Sequence, residues 1–191
     1  MRIRYLLISI IFLVTYEVNY SQNVDNKFME GAKNVIRLKS DSFPELPKKI
    51  REYLSQNGFT VPQIFDLKKP HNVIFGEYFE KGTKDWAVLA SKNLKSRIIV
   101  FRKGNVDLNS IVELEEYDDI VFIQGIDTER VGYSRCISTV DKNYIFTHYE
   151  WSGGFKPPKI DHNGIDDAFV EKGSTILYYY KGEWFHLTGA D

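Results

Sequence analysis

The sequence has a single cysteine, Cys136, so the chain cannot form an internal disulfide bond. A domain without disulfides must rely on its hydrophobic core, and a lone cysteine is more often a small buried side chain than a reactive thiol. The 25 basic and 26 acidic residues are well mixed, so no basic stripe is present to neutralise phosphates. This argues against a nucleic-acid partner.

Patterns that mark common catalytic sites are also missing. The nucleophile elbow G-x-S-x-G is absent. The histidines show no paired metal spacing: His71, His148, His162 and His186. One acidic cluster is of the kind that usually forms a solvated face: Glu113, Glu115, Glu116, Asp118 and Asp119. The residues favour a non-enzymatic protein, but they leave open a small hydrolase whose acid–base pair is assembled from distant loops, using Asp161, His162 or the acidic cluster.

No apolar run is long enough for a typical membrane span, which needs roughly 20 residues. The longest, Tyr5–Tyr16, follows the basic residues Arg2 and Arg4 and has the length of a signal-peptide core. We expect a signal peptide over residues 1–21, cleaved after Ser21, with export to the periplasm or the extracellular space. Cleavage would leave no stable membrane anchor, whereas an uncleaved anchor is the alternative.

The rest of the chain predicts one domain of the α+β class. Residues 22–40 are polar and weakly patterned, which indicates a flexible N-terminal arm before a single domain over residues 41–191. Aromatic residues make up 15% of the chain and favour strands. We expect an antiparallel sheet of five to seven strands, built of hairpins and a meander, with two helices against it.

Two segments have helical spacing. The first places its apolar residues on one helix face and ends at Asn57-Gly58: Leu46, Ile50, Tyr53 and Leu54. The second is capped by Asp141 and closed by Gly153-Gly154, and it carries four residues of interest: Tyr144, Ile145, His148 and Tyr149.

Alternating and β-branched segments predict the strands. Residues 73–79, 85–90 and 97–101 form a meander, residues 120–124 and 131–137 form further strands, and residues 111–117 are either a short helix or a strand.

The strongest hairpin signal is at the C-terminus. Residues 174–180 and 183–187 flank the turn Lys181-Gly182, which places Tyr178 and Tyr180 on one face. That face is either a binding surface for sugars or peptides, or a core face with solvated phenols.

Several segments in order resemble a family of uncharacterised exported bacterial proteins. Together they span most of the mature chain: 43–47 with 61–63, 76–78 through 85–89, 132–135, and 156–167 through 189–191. Members of that family often carry two cysteines at positions where this chain has Phe59 and Ala90, so the disulfide that the resemblance implies is not expected here. The resemblance implies no activity.

Residues 76–89 also resemble one FG-GAP/VCBS-like calcium-loop hairpin. Gly76, Gly82 and Asp85 match its pattern, but Lys81 places an ammonium group where a carboxylate should bind the ion. We therefore expect a hairpin without its ion.

A second acidic loop fits calcium better. Asp161, Asn163, Asp166 and Asp167 surround Gly164 with the spacing Asp-x-Asn-Gly-x-x-Asp, which offers several oxygen ligands. Two interpretations stay open: a calcium site in an ion-stabilised structural module, or a turn in which the side chains bond to their own backbone.

Overall fold

The structure, a computed structural model, describes residues 26–151 and 158–190. The predicted signal peptide and the predicted helix end at Gly153-Gly154 lie outside these residues. Three helices are described: α1 (26–33), α2 (Lys48–Gln56) and α3 (Lys142–Trp151). Within the described ranges, no helix combines the length and the apolar character that a membrane span requires.

Residues 26–151 and 158–190 contain thirteen strands. Their bounds are β1 (Arg37–Leu38), β2 (Val61–Pro62), β3 (Val73–Gly76), β4 (Asp85–Lys92), β5 (Lys95–Phe101), β6 (Ile111–Glu113), β7 (Tyr117–Asp118), β8 (Ile123–Gly125), β9 (Val131–Tyr133), β10 (Arg135–Val140), β11 (Gly164–Phe169), β12 (Gly173–Tyr180) and β13 (Glu183–Thr188). All pairings are antiparallel, and the α+β prediction is confirmed. The strands form four sheets rather than the single sheet that we expected.

Two of these sheets are large. One has five strands in the order β3-β4-β5-β6, with β7 also paired to β5, and the other has the order β10-β11-β12-β13. The pairs β1–β2 and β8–β9 form two small ribbons.

The hydrophobic clusters show how these elements are layered. One cluster joins α2 to one face of the five-stranded sheet, through Leu54 and Ile99 among others. Another joins the opposite face of that sheet to the four-stranded sheet, through Leu89 and Leu177. The third joins the outer face of the four-stranded sheet to α3, through Ile145. The domain therefore has the order helix, sheet, sheet, helix.

The central position of β4 explains its sequence. Seven of its eight residues are buried, because both faces of the strand are covered. Such a strand has a continuous apolar run, here Trp86 to Ala90, instead of alternating polarity. Phe59 and Ala90, where the resemblance would place cysteines, both lie in the cluster beneath α2.

The predicted first helix forms as α2. Pro47 precedes its first turn, where a missing N–H group costs nothing, and Gly58 beyond its C-terminus has a φ of 73°. Ile50 and Leu54 are its buried residues, as its apolar spacing predicts.

Residues 26–40 pack against the domain. Ala32 in α1 is buried, β1 pairs with β2, and Arg37 forms an ion pair with the buried Asp119. The sequence predicted a flexible arm over residues 22–40, but residues 26–40 of that segment belong to the packed domain. Polar composition alone did not reveal the long-range pairing of this segment.

The meander and the C-terminal hairpin form, although the first predicted strand of the meander, 73–79, ends at Gly76. Residues 111–117 contribute the strands β6 and β7. Two further strand predictions are partly wrong. Residues Asp119–Phe122 are a 3-10 helix that turns the chain where Asp119 meets Arg37, and only Ile123–Gly125 is a strand. The predicted strand 131–137 is broken at Ser134, because β9 pairs with β8 whereas β10 joins the four-stranded sheet.

Candidate functional site

A cleft of about 610 Å³ opens between the end of α3 and the outer face of β12 and β13. We call it the aromatic cleft. Its lining residues are Tyr149, Pro158, Lys159, Tyr178, Tyr180, Phe185, His186 and Leu187. Its volume lies in the range typical of small-molecule sites, roughly 300–1,000 Å³.

The register of the hairpin produces the aromatic wall. Tyr178 pairs with Phe185 across the two strands, and their rings stack with centroids 5.6 Å apart. Tyr180, two residues along β12, emerges on the same face with its ring 6.3 Å from that of Phe185. The sequence predicted that Tyr178 and Tyr180 share a face, and the structure confirms it; Tyr179 packs on the other side against Phe79.

The turn sets this register. Lys181 and Gly182 both have positive φ, 51° and 95°, as a two-residue primed turn requires. The turn also places the Lys181 Nζ 5.2 Å from the centre of the Tyr180 ring.

Helix α3 supplies the opposite wall. As predicted, Asp141 caps this helix, and its Oδ1 accepts a hydrogen bond of 2.9 Å from the Tyr144 N–H. Ile145 is fully buried against the sheet with Ile160 and Ile176. One turn further along the helix, Tyr149 reaches the cleft.

Burial raises the pKa of the Tyr178 phenol, and the neighbouring phenols Tyr149 and Tyr180 raise it further. Three phenol side chains therefore converge at the cleft. No carboxylate is among the described residues that line the cleft.

A second cleft, of about 360 Å³, lies between the two large sheets and has aromatic walls at Tyr117, Phe122 and Phe169. Asp167, one of its lining residues, binds Arg135, whose side chain is 1% exposed. The guanidinium makes two parallel bonds to Asp167, of 2.9 and 2.8 Å, and two more to Ser96, both of 3.0 Å.

The rings of Tyr117 and Phe122 enclose this guanidinium. Their centres lie 5.1 and 4.7 Å from its central carbon. Because its four bonds and both ring contacts are within the protein, Arg135 is a structural centre that joins the two sheets.

A recess of about 30 Å³, enough for one water molecule, continues from this cleft. It gathers Glu115, Asp167 and His186, which are three titratable groups from three strands or loops. Tyr117 donates a hydrogen bond to Glu115, which together with burial raises the pKa of the phenol to about 12.

The structure separates the four predicted calcium ligands. Both carboxylate oxygens of Asp167 are bound by Arg135, and Asp161 is exposed in the loop before β11. Asn163 Oδ1 accepts the Glu77 N–H at 2.9 Å.

Asp166 points to the opposite face of β11 from Asp167, toward α3. In the ranges 26–151 and 158–190, no group of three or more His, Cys, Asp or Glu side chains is arranged to hold a metal ion. The calcium site stays a prediction.

Asp85 organises the hairpin of β3 and β4, over which the sequence resembles an FG-GAP unit. Its fully buried carboxylate accepts hydrogen bonds from the backbone N–H groups of Tyr78, Phe79 and Lys103 and from the Thr83 hydroxyl. These donors occupy the carboxylate that the resemblance would assign to calcium.

The acidic cluster is distributed over ion pairs. Arg97 pairs with Glu113 and Glu116, whereas the buried Asp119 pairs with Arg37 at 2.6 Å. Asp161 and His162 do not form a pair open to solvent, since His162 is buried and bonds through Nδ1 to the Asn163 carbonyl.

Sequence reasoning missed Arg135, Phe185 and Lys159. An arginine inside an apolar strand was the available signal for Arg135, because a buried charge needs a partner. In comparisons with known proteins, no family model, no curated protein and no solved structure matches this chain.

Proposed function

We propose that this protein is an exported, non-enzymatic binding domain that holds a saccharide in the aromatic cleft. The observation that carries the proposal is the convergence of Tyr149, Tyr178, Tyr180 and Phe185 around one cleft of about 610 Å³. Ring faces suit the C–H faces of sugar rings, and phenol hydroxyls donate to and accept from sugar hydroxyls.

The lining favours a saccharide over a peptide. A peptide that binds along a strand edge relies on backbone hydrogen bonds and on separate pockets for alternate side chains. The aromatic cleft lies instead on the face of β12 and β13, where Tyr178 and Phe185 form a continuous stacked surface. A flat ligand with distributed hydroxyls matches such a surface better.

Replacement of one ring tests the site. We expect Tyr180→Ala to weaken saccharide binding about tenfold, since one aromatic contact contributes roughly 0.5–1.5 kcal/mol beyond its buried area. Isothermal titration calorimetry against a panel of oligosaccharides measures the change. Phe75→Ala is the matched control, because Phe75 is an exposed aromatic residue that does not line the cleft.

Equal losses in the two variants would contradict a specific site. Binding of extended or proline-rich peptides, with no saccharide binding, would replace the proposed ligand class by a peptide. N-terminal sequencing of the mature protein tests export, and a chain that starts at Met1 in a membrane fraction would contradict it.

A small hydrolase is the second candidate, because the recess gathers Glu115, Asp167 and His186. Since Arg135 holds Asp167, Glu115 and His186 are the two remaining candidates for proton transfer in this recess. Chromogenic glycosides and esters test this: hydrolysis that Glu115→Gln abolishes without loss of folding would favour the enzyme, and equal background rates would exclude it for those substrates.

A further inference from the structure

We infer, on the basis of the proposed function, that the saccharide in the aromatic cleft is acidic and carries carboxylate or sulfate groups. Two lysines flank the aromatic surface. Lys159 lines the cleft next to Pro158, and Lys181 extends from the β12–β13 turn over the Tyr180 ring.

The charge of the lining is one-sided. Lys159 is its one residue with a permanent charge. Neither Lys159 nor Lys181 forms an ion pair with another residue of the described chain, so both ammonium groups are available to a ligand.

One acidic side chain lies close by and opposes this charge. Glu183 pairs with Tyr180 in the register of the hairpin and points to the same face, but it is exposed and outside the lining. Glu150 and Asp161 are near lining residues in the sequence and do not line the cleft either. An anionic ligand therefore meets Lys159 in the lining and Lys181 beside the Tyr180 ring, whereas the acidic residues lie outside the lining.

The two kinds of contact have different consequences. Stacking on Tyr180 and Phe185 depends on the sugar ring and is independent of salt. Attraction to Lys159 and Lys181 depends on ligand charge and is screened at high ionic strength, since the Debye length falls from about 10 Å at 0.1 M to about 3 Å at 1 M. Mutation of the aromatic residues should therefore change the affinity for all saccharides, whereas mutation of the lysines should change the preference for acidic ones.

Matched ligand pairs test the inference. Oligogalacturonate is compared with its methyl ester, alginate oligomers with their esters, and sulfated glycosaminoglycan oligomers with desulfated forms, each by calorimetry. For at least one pair we expect the acidic member to bind three- to tenfold more tightly at about 20 mM salt, as exposed ion pairs of about 0.2–1 kcal/mol each allow. At about 0.5 M salt this preference should fall below about twofold.

The variants separate charge from stacking. Lys159→Gln and Lys181→Gln should each reduce the preference for the acidic member two- to threefold, measured as the ratio of the affinities of the two members within each variant. Glu183→Gln should increase the preference. Lys84→Gln is the control, since Lys84 is an exposed lysine over the aromatic ring of Phe75, away from the cleft.

The outcomes distinguish the inference from the proposed function. If the two members bind equally in every pair, and the lysine variants change nothing while Tyr180→Ala weakens binding about tenfold, the acidic ligand is overturned and the saccharide function stands. If no member of any pair binds and the wider saccharide panel also fails, both are overturned.

Discussion

At the scale of single residues, Asp85 is a buried charged residue whose carboxylate binds four donors of the hairpin and its surroundings. Its fully buried carboxylate accepts three backbone N–H groups and one hydroxyl, and Asp85→Ala would leave all of these donors without a partner. An unsatisfied buried polar group costs about 1–3 kcal/mol. We expect Asp85→Ala to lower the free energy of unfolding by at least 3 kcal/mol, measured by urea denaturation.

Asp161→Ala is the control for this prediction. Asp161 is exposed and has no described hydrogen bond, so its removal should change stability by less than about 0.5 kcal/mol. If Asp85→Ala is as mild as the control, the hairpin does not depend on its carboxylate.

Asp166 should make stability depend on pH. Burial raises its pKa above the ordinary value of 3.8, Asp167 raises it further, and Ser174 and His148 oppose the shift. Because the folded state binds this proton more tightly than the unfolded state, the contribution of Asp166 to stability falls as pH rises above about 4. We expect Asp166→Asn to be more stable than the wild type at pH 7.

Unfolding curves at pH 3 to 7 measure this effect. The advantage of Asp166→Asn should shrink toward pH 3, where the wild-type carboxyl is also protonated. Asp127→Asn is a useful contrast, since Arg130 holds the pKa of that exposed carboxyl at about 2. Because this pKa is lowered and not raised, the contribution of Asp127 to stability is lost as the pH falls. Parallel curves for wild type and Asp166→Asn would contradict the assignment.

The roles of these acidic residues were only partly predictable. The spacing around Gly164 predicted a turn with Asp161 and Asn163 bonded to their own backbone, but Asn163 instead bonds to the distant backbone of Glu77 and Val140. The spacing also could not show that Asp167 faces the core and Asp166 faces α3. Arg135 lies 32 positions before Asp167 in the chain, so their pairing depends on a strand register that local sequence does not contain.

At the scale of elements, the β4–β5 turn is strained. Asn93 and Leu94 both have positive φ, 54° and 59°, and leucine reaches this region at a cost of roughly 1–2 kcal/mol. The Leu94 side chain belongs to none of the described core clusters. We expect Leu94→Gly to stabilise the protein by about 0.5–1 kcal/mol, because glycine removes the strain but adds freedom to the unfolded chain.

Thermal and urea unfolding measure this change. Leu108→Gly is the matched control, since Leu108 is 95% exposed and is not among the residues with positive φ. The control should be neutral or destabilising. Stabilisation by both variants would indicate removal of an exposed leucine and not relief of turn strain.

Elements with local signals were predicted well. Three local predictions are confirmed: the helical spacing at Ile50 and Leu54, the Asp141 cap and the Lys181-Gly182 turn. Failures occur where distant contacts decide the local conformation, as at Asp119–Phe122, which becomes a 3-10 helix around the ion pair with Arg37. The packing of residues 26–40 was missed for the same reason, since their partners lie far away in the chain, at 61–62 and 119.

At the scale of the whole molecule, the sequence did not predict the four-layer order helix, sheet, sheet, helix. One feature of the sequence did indicate that a second sheet was needed. The apolar run Trp86–Ala90 indicates a strand covered on both faces, and two covering layers require more than one sheet with helices on one face. Which faces meet depends on long-range contacts between β4, β5 and the C-terminal strands, and no local pattern encodes these.

Arg37 is the residue through which the N-terminal segment stabilises the whole domain. Its guanidinium binds the Asp119 carboxylate at 2.6 Å and the Ala32 carbonyl at 2.9 Å, and Ser91 also donates to Asp119. Arg37→Ala would leave the fully buried Asp119 charge without a cation. Because breaking a buried pair costs about 3–5 kcal/mol, we expect a loss of that size in urea unfolding.

A double variant separates the pair from the packing of the segment. In Arg37→Ala with Asp119→Asn, the buried charge is gone, and stability should recover by at least 1 kcal/mol relative to Arg37→Ala alone. Arg130→Ala, which breaks an exposed ion pair with Asp127, is the control and should cost less than about 1 kcal/mol. If Arg37→Ala costs no more stability than Arg130→Ala, residues 26–40 do not stabilise the domain through Asp119. That result would favour the predicted flexible arm over residues 22–40.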